Sequence, residues 1–201
     1  MQWDKVKLFG FRVSVERVEE RVGHIIVPEN RQIIYQIGRV VCVGDGRQPD
    51  GTTEESLVQL GDLVYFQTNA VMAANQQYER DGKPYLNLHQ GDLIGRLSSN
   101  VVRYENFEPL GRWVLAEPFI RQSPSGILLP ETAKQGTFLY FRVAKVGDRA
   151  KIDVHPGQEV ILNTGRVSTL FMNRLDILSA EDKMTELVYV DRDFVLGTVD
   201  A

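Results

Sequence analysis

The side chains that could make or break bonds are few and scattered. His24, His89 and His155 stand far apart, without the short spacings that present metal ligands together, and each reads as a surface or internally satisfied histidine. Cys42 is the one cysteine, which excludes an intramolecular disulfide and any Cys-x-x-Cys motif; within Val40-Val41-Cys42-Val43 it reads as a small buried apolar residue. Asp62, Asp92 and Asp193 lie where turns want a carboxylate, and no nucleophile and base pair can be argued. Gly44-Asp45-Gly46 is too short for a dinucleotide fingerprint and no helical stretch follows it, nor does a phosphate-cradling G-x-x-x-x-G-K-[S/T] run occur. No catalytic residue, metal or cofactor is expected. The chemistry left to the chain is binding.

Two stretches are shaped for it. Ser125-Gly126-Ile127-Leu128-Leu129-Pro130 sets three large aliphatic residues between Gly and Pro, just after the polar run Arg121-Gln122-Ser123-Pro124. A core strand could bury such a triplet, but Pro130 would remove a ladder donor at its end. Gly23-His24-Ile25-Ile26-Val27-Pro28 repeats the device after Glu19-Glu20-Arg21. The expected binding site is therefore two apolar hooks on flexible loops: Ile25, Ile26 and Val27, and Gly126, Ile127, Leu128 and Leu129. The competing reading makes both triplets ordinary core strands. Their recurrence points to a duplicated unit.

The energetics of a hook constrain how it works. Burying three such side chains gains roughly 5–8 kcal/mol gross, while ordering a half-dozen loop residues costs roughly 1–2 kcal/mol each in backbone entropy alone. One loop binds weakly or not at all. Several loops engaging a multisite partner together replace free concentration by effective concentration, which favours a ring-shaped oligomer acting on a ring-shaped partner.

The elements that must hold these loops are strands. Arg12-Val13-Ser14-Val15-Glu16-Arg17-Val18 alternates apolar with polar, the period of a half-buried strand. Residues 38–43 form a β-branched strand running into a Gly-Asp-Gly turn, and the polar excursion from Arg47 to Ser56 reads as an exposed hairpin tip. Val58 to Phe66 is turn plus strand about Gly61-Asp62. Asp81-Gly82 is the strongest short hairpin signal, with Tyr85-Leu86-Asn87-Leu88 as the returning strand. The second half repeats the series in Trp113-Val114-Leu115, residues 141–148, residues 154–162 and residues 187–196. No stretch keeps a helical period, although residues 180–185 could form one turn. Short strands with turn signals every 8–12 residues or so argue for small β-barrels.

Composition sets the outer bounds. A chain of 201 residues with 43% apolar content can bury one or two small cores. A formal net charge of −4 and a pI near 5.5 give no support to a nucleic-acid surface or an anionic-membrane patch. No apolar run approaches the roughly 18 residues that span a bilayer, and Met1 to Lys5 do not read as a targeting peptide. A soluble, cytoplasmic protein is expected.

The motifs taken together resemble the GroES-type co-chaperonins, the chaperonin-10 family. The resemblance rests on Gly10, Arg12, Val13 and Val15; Gly23, Ile25, Ile26, Val27 and Pro28; Gly38, Val40, Val43, Gly44 and Gly46; Val58, Gly61, Asp62, Val64 and Phe66; and Asp81, Gly82, Tyr85, Leu86 and Asp92. The second half supplies Pro109-Leu110-Gly111, Gly126 to Pro130, Val146-Gly147, Gly157, Val160 and Asp193. It implies an all-β fold of two tandem GroES-like small β-barrels, residues 1–98 and 109–201 with a linker at 99–108. The partner implied is a GroEL-type chaperonin, whose apical domains take the hooks and which supplies the ATP cycle while this chain caps the folding cavity as a homo-oligomeric ring.

Three departures qualify that expectation. Both hook loops are two or three residues shorter than is usual in the family, and its Gly-Gly becomes Gly23-His24 and Ser125-Gly126. The excursion that forms the family's roof hairpin, from Gly44 to Gly61, shrinks by about seven residues in the second half, so a ring of these chains has an incomplete roof. Family rings usually hold seven domains, and a two-domain chain contributes an even number unless single-domain subunits join. The alternative function is a non-enzymatic assembly or structural protein, for example viral, that keeps the barrel without chaperonin binding. A medium-chain dehydrogenase, which carries a GroES-like domain, needs a Rossmann half for which this chain has neither room nor fingerprint.

Overall fold

The computed structural model describes residues 7–18, 21–22, 25–26, 37–67, 77–119, 140–163, 174–178 and 183–199. Among these the regular structure is strand, with two single 3-10 turns and no α-helix, so the expected all-β class holds. The chain divides into two compact units, Met1–Gly111 with Ile177–Thr185, and Arg112–Asp176 with Glu186–Ala201.

The first unit is built on a seven-stranded sheet. Its strands are β1 (Arg12–Arg17), β4 (Ile37–Val43), β5 (Leu63–Phe66), β6 (Gln77–Arg80), β7 (Lys83–His89), β8 (Leu93–Leu97) and β9 (Phe107–Pro109), in the order β6-β7-β1-β4-β5-β8-β9. The pattern of β1 decides the core: Val13 and Val15 turn inward against Val40, Val64, Phe66, Leu86, Leu88 and Leu93. Ser14 points the other way and, although buried, is satisfied by Asn87 and by the Tyr78 hydroxyl, which donates to Ser14 Oγ at 3.2 Å. Gly38 lies so close to Val15 that a Cβ there would stand 2.8 Å from the valine Cβ.

The turns follow their residues. Asp81 and Gly82 both take positive φ, 52° and 73°, the mirror-image geometry a two-residue hairpin needs. The excursion between β4 and β5 is a small hairpin: Glu54 N donates to Gly46 O at 2.9 Å, Gln48 N to Thr52 O at 2.8 Å, and Arg47 bridges Thr53. Leu57 and Val58 then return to the core.

The second sheet has six strands, β10 (Trp113–Phe119), β11 (Tyr140–Val146), β12 (Glu159–Leu162), β13 (Arg174–Leu178), β14 (Met184–Asp191) and β15 (Val195–Val199), ordered β13-β14-β10-β11-β12-β15, and it builds the second unit apart from residues 177–178 of β13 and 184–185 of β14, which group with the first. Its core gathers Val114, Ala116, Phe141, Val143, Val160, Leu162, Val188 and Val190. Thr185, expected to lie in a turn, belongs to β14.

Hydrogen bonds inside each unit fall at matching points of the two. Gly44 N donates to Arg12 O and Gly147 N to Trp113 O, both at 2.8 Å. Gly61 N meets Val40 O at 2.9 Å, and Gly157 N meets Val143 O at 2.7 Å. The 3-10 turns Gln90–Asp92 and Arg192–Phe194 are pinned by Gln90 N to Phe11 O and Arg192 N to Arg112 O, both at 3.0 Å. Register breaks fall at Ser14/Val15 and Leu115/Ala116, and at Tyr65/Phe66 and Ile161/Leu162. The units differ where the sequence shortens: no hairpin stands between β11 and β12, and Ala150 N closes a tight turn on Gly147 O at 3.1 Å.

Candidate binding loops

Each expected hook hangs between two strands that are hydrogen-bonded to each other. β1 and β4 run antiparallel to their last pair, Arg17↔Gly38, and Val18 N continues the ladder onto Ile37 O at 3.0 Å. Residues 19–36 therefore leave and re-enter the sheet at one point. Ile37 at that base is fully buried, opposite Tyr65, and Gly38 packs on Val15, so the mount is rigid.

Within the first excursion, β2 (Arg21–Val22) and β3 (Ile25–Ile26) pair antiparallel, Arg21↔Ile26 and Val22↔Ile25, in a ladder of their own apart from the seven-stranded sheet. The side chains of Ile25 and Ile26, and the whole of Val27, lie outside the described residues. In the second unit β10 and β11 pair out to Pro118↔Phe141 and Phe119↔Tyr140, with residues 120–139 between them. Gly126, Ile127, Leu128 and Leu129 lie outside the described residues as well. The segments that carry the two expected hooks in sequence join corresponding strands, β1 to β4 in one unit and β10 to β11 in the other.

Charge around the mounts is locally paired. Lys83 Nζ lies 2.5 Å from Glu16 Oε1, and that hydrogen bond raises the lysine pKa. Arg142 stands 3.8 Å from Glu159. Elsewhere the perturbed groups do structural work. Backbone N–H groups of Gly10 and Arg47 hold the Asp45 carboxyl below its ordinary value, and the hydrogen bond from Arg112 does the same for Asp193. Burial pushes Asp92 and Cys42 up and Tyr189 up to about 12. Among the described residues no group of three or more His, Cys, Asp or Glu could hold a metal ion, and no helix is long and apolar enough to cross a membrane.

Two residues matter that the sequence did not single out. Gln90 is fully buried and its side-chain oxygen accepts from Leu57 N at 2.7 Å and Ser56 Oγ at 2.9 Å, tying the return of the hairpin to the 3-10 turn. Phe107 lies over Gly95 and meets Tyr65 edge-on at 5.8 Å. A polar side chain in a polar turn carries no signal of this kind, and the two aromatics in Ser98 to Glu108, Tyr104 and Phe107, show no strand period.

The fold and loops define the class: a small all-β scaffold that presents segments from a strand connection and carries no assembled reaction centre among its described residues. The profile described as "Chaperonin 10 Kd subunit" matches residues 5–97. The co-chaperonin GroES of Lacticaseibacillus zeae is 36% identical over 93 residues, 44% of this chain and 96% of that protein. That of Coprothermobacter proteolyticus is 32% identical over 106 residues, 51% and 99%, and that of Thermus thermophilus 33% over 96 residues, 46% and 91%. Each relative is aligned almost end to end onto about half of this chain. The chain belongs to the chaperonin 10 family of non-enzymatic co-chaperonins.

Proposed function

We propose that this protein is a tandem co-chaperonin, two GroES-like small β-barrels in one chain, acting as a homo-oligomeric ring that caps a GroEL-type chaperonin in the cytoplasm. The first barrel takes residues 1–98 and the second 109–201, joined through 99–108. The apical domains of the partner receive Ile25, Ile26 and Val27 from one unit and Gly126, Ile127, Leu128 and Leu129 from the other, and ATP hydrolysis belongs to the partner. The observation that carries this reading is the mounting of both aliphatic triplets on one and the same strand connection, in two units whose register breaks and anchoring hydrogen bonds correspond. The match of residues 5–97 to the family supports it for the first unit, and the correspondence between units extends it to the second.

Co-sedimentation with a GroEL-type chaperonin in the presence of nucleotide tests it. The wild-type chain pellets with the chaperonin, and Leu128→Asp, which puts a charge where the groove must be dry, reduces the bound fraction at least tenfold. A wild-type chain that forms no complex supports the alternative, an assembly protein that kept the scaffold. Unchanged binding by Leu128→Asp removes the second hook from the mechanism.

A further inference from the structure

Each unit enters its strand β8 or β15 through a 3-10 turn, and the two turns do the same job with different chemistry. In the second unit the turn Arg192–Phe194 is capped by a carboxylate: Asp191 accepts from Asp193 N at 3.0 Å. Its first residue reaches back to the shortened β11–β12 connection, Arg192 Nη1 donating to Ala150 O at 2.7 Å. In the first unit the cap of Gln90–Asp92 is an imidazole. His89 Nδ1 accepts from Gly91 N at 3.1 Å, and the backbone N–H of His89 donates to the Asp92 carboxylate in return. Gln90, the first residue of that turn, accepts from Leu57 N and Ser56 Oγ, where the hairpin between β4 and β5 returns to the core.

The two caps answer acid differently. A carboxylate stays an acceptor down to about pH 4, whereas an imidazole in water gains a proton at about pH 6.5. The lone pair facing Gly91 N belongs to Nδ1, so neutral His89 carries its proton on Nε2 and an added one must go to Nδ1, where it sets donor against donor. The charged groups that face the ring are Asp92 on the same turn, which attracts an imidazolium, and Arg12, its pairing partner on β1, which repels one. Phe11 meets the ring edge-on at 5.5 Å and carries no charge. Asp92 therefore offers the protonated ring the partner that Gly91 no longer is. The turn is also poised to open, because Gln90 is fully buried and its side-chain Nε2 has no hydrogen-bond partner among the described residues. Opening returns that amide to water and offsets part of the cost of losing the cap.

We propose that the first unit carries a proton-operated latch: protonation of His89 uncaps the turn Gln90–Asp92, withdraws Gln90 from Ser56 and Leu57 and loosens the hairpin between β4 and β5, while the second unit, capped by Asp191, stays closed. The sign follows from the acceptor. The cap is whole at neutral pH and is lost as pH falls through the range in which an imidazole titrates. The latch lies within one unit and needs no chaperonin, so it goes beyond the proposed function and is tested apart from it.

Hydrogen–deuterium exchange of the full chain, read by mass spectrometry as protection relative to the intrinsic rate at each pH, provides the test. Between about pH 7.5 and about pH 5.5, peptides over residues 46–58 and 89–93 lose about fivefold in protection, and peptides over residues 147–158 and 191–195 keep theirs. His89→Ser supplies an acceptor that does not titrate and holds the first set closed across the range. His89→Ala removes the cap and gives at neutral pH the exchange that the wild type reaches only in acid. Wild-type protection that is unchanged by acid, His89→Ser loosening as much as the wild type, His89→Ala as protected as the wild type at neutral pH, or equal loosening in the second unit each overturn the proposal.

Discussion

At the scale of single residues, the fold is held at points where one group answers several demands. Asp45 is such a point: its carboxylate accepts from Gly10 N at 2.8 Å and Arg47 N at 3.2 Å, tying the entry to β1 to the base of the first hairpin. Those donors favour the ionised form and lower its pKa in the folded chain. The sign follows from linkage. A depressed carboxyl contributes stability that is full above the unfolded value of about 3.9 and is lost as pH falls through the lower folded value. Asp45→Ala is therefore expected to melt below wild type at pH 7, with the gap narrowing as pH drops under about 4. Thermal unfolding by circular dichroism across that range checks it, and a gap constant with pH would assign Asp45 no ionic role. Asp92 runs the other way, because burial raises its pKa and acid relieves a cost.

Elements were legible in proportion to how local their cause is. The strands β1, β4, β5 and β7 could be read from alternation and β-branching, and the β6–β7 turn from Asp81-Gly82, because each is decided by neighbours in sequence. β9 could not, since Phe107 belongs to a strand only because Gly95 and Tyr65 leave space for its ring, a tertiary cause. The sequence offered the proposed hooks only as triplets fenced by Gly and Pro, and that the segments carrying them span the same strand connection emerged only with the ladders Arg17↔Gly38 and Phe119↔Tyr140. The β6–β7 hairpin isolates the local term. Gly82 has nothing within 4 Å of where a Cβ would sit, so its replacement meets backbone strain at φ 73° and no collision. Gly82→Ala is expected to cost about 1–2 kcal/mol in denaturant unfolding, with amide exchange accelerated in β6 ahead of β1. A neutral substitution would show that the Tyr78–Tyr85 stack, with ring centroids 5.5 Å apart, holds the hairpin without its turn.

At the scale of the whole molecule, the proposal turns on number. Each hook gains roughly 5–8 kcal/mol gross and loses most of it to ordering, so the affinity of a ring is a product over hooks and not a sum over independent sites. Two units per chain give an even set, six hooks from three chains or eight from four, against a sevenfold partner. The expected consequence is steep dose dependence. When wild-type chains are assembled with increasing fractions of Leu128→Asp chains, each disabled hook lowers affinity by about tenfold, equivalent to about 1.4 kcal/mol. Three disabled hooks then lower it about a thousandfold, read as the dissociation rate from a nucleotide-loaded chaperonin. A fall merely proportional to the disabled fraction would mean that the hooks act independently, and the weak single-hook energetics could not then support a cap. A plateau at the first substitutions would identify hooks left unengaged by the mismatch between an even ring and its partner.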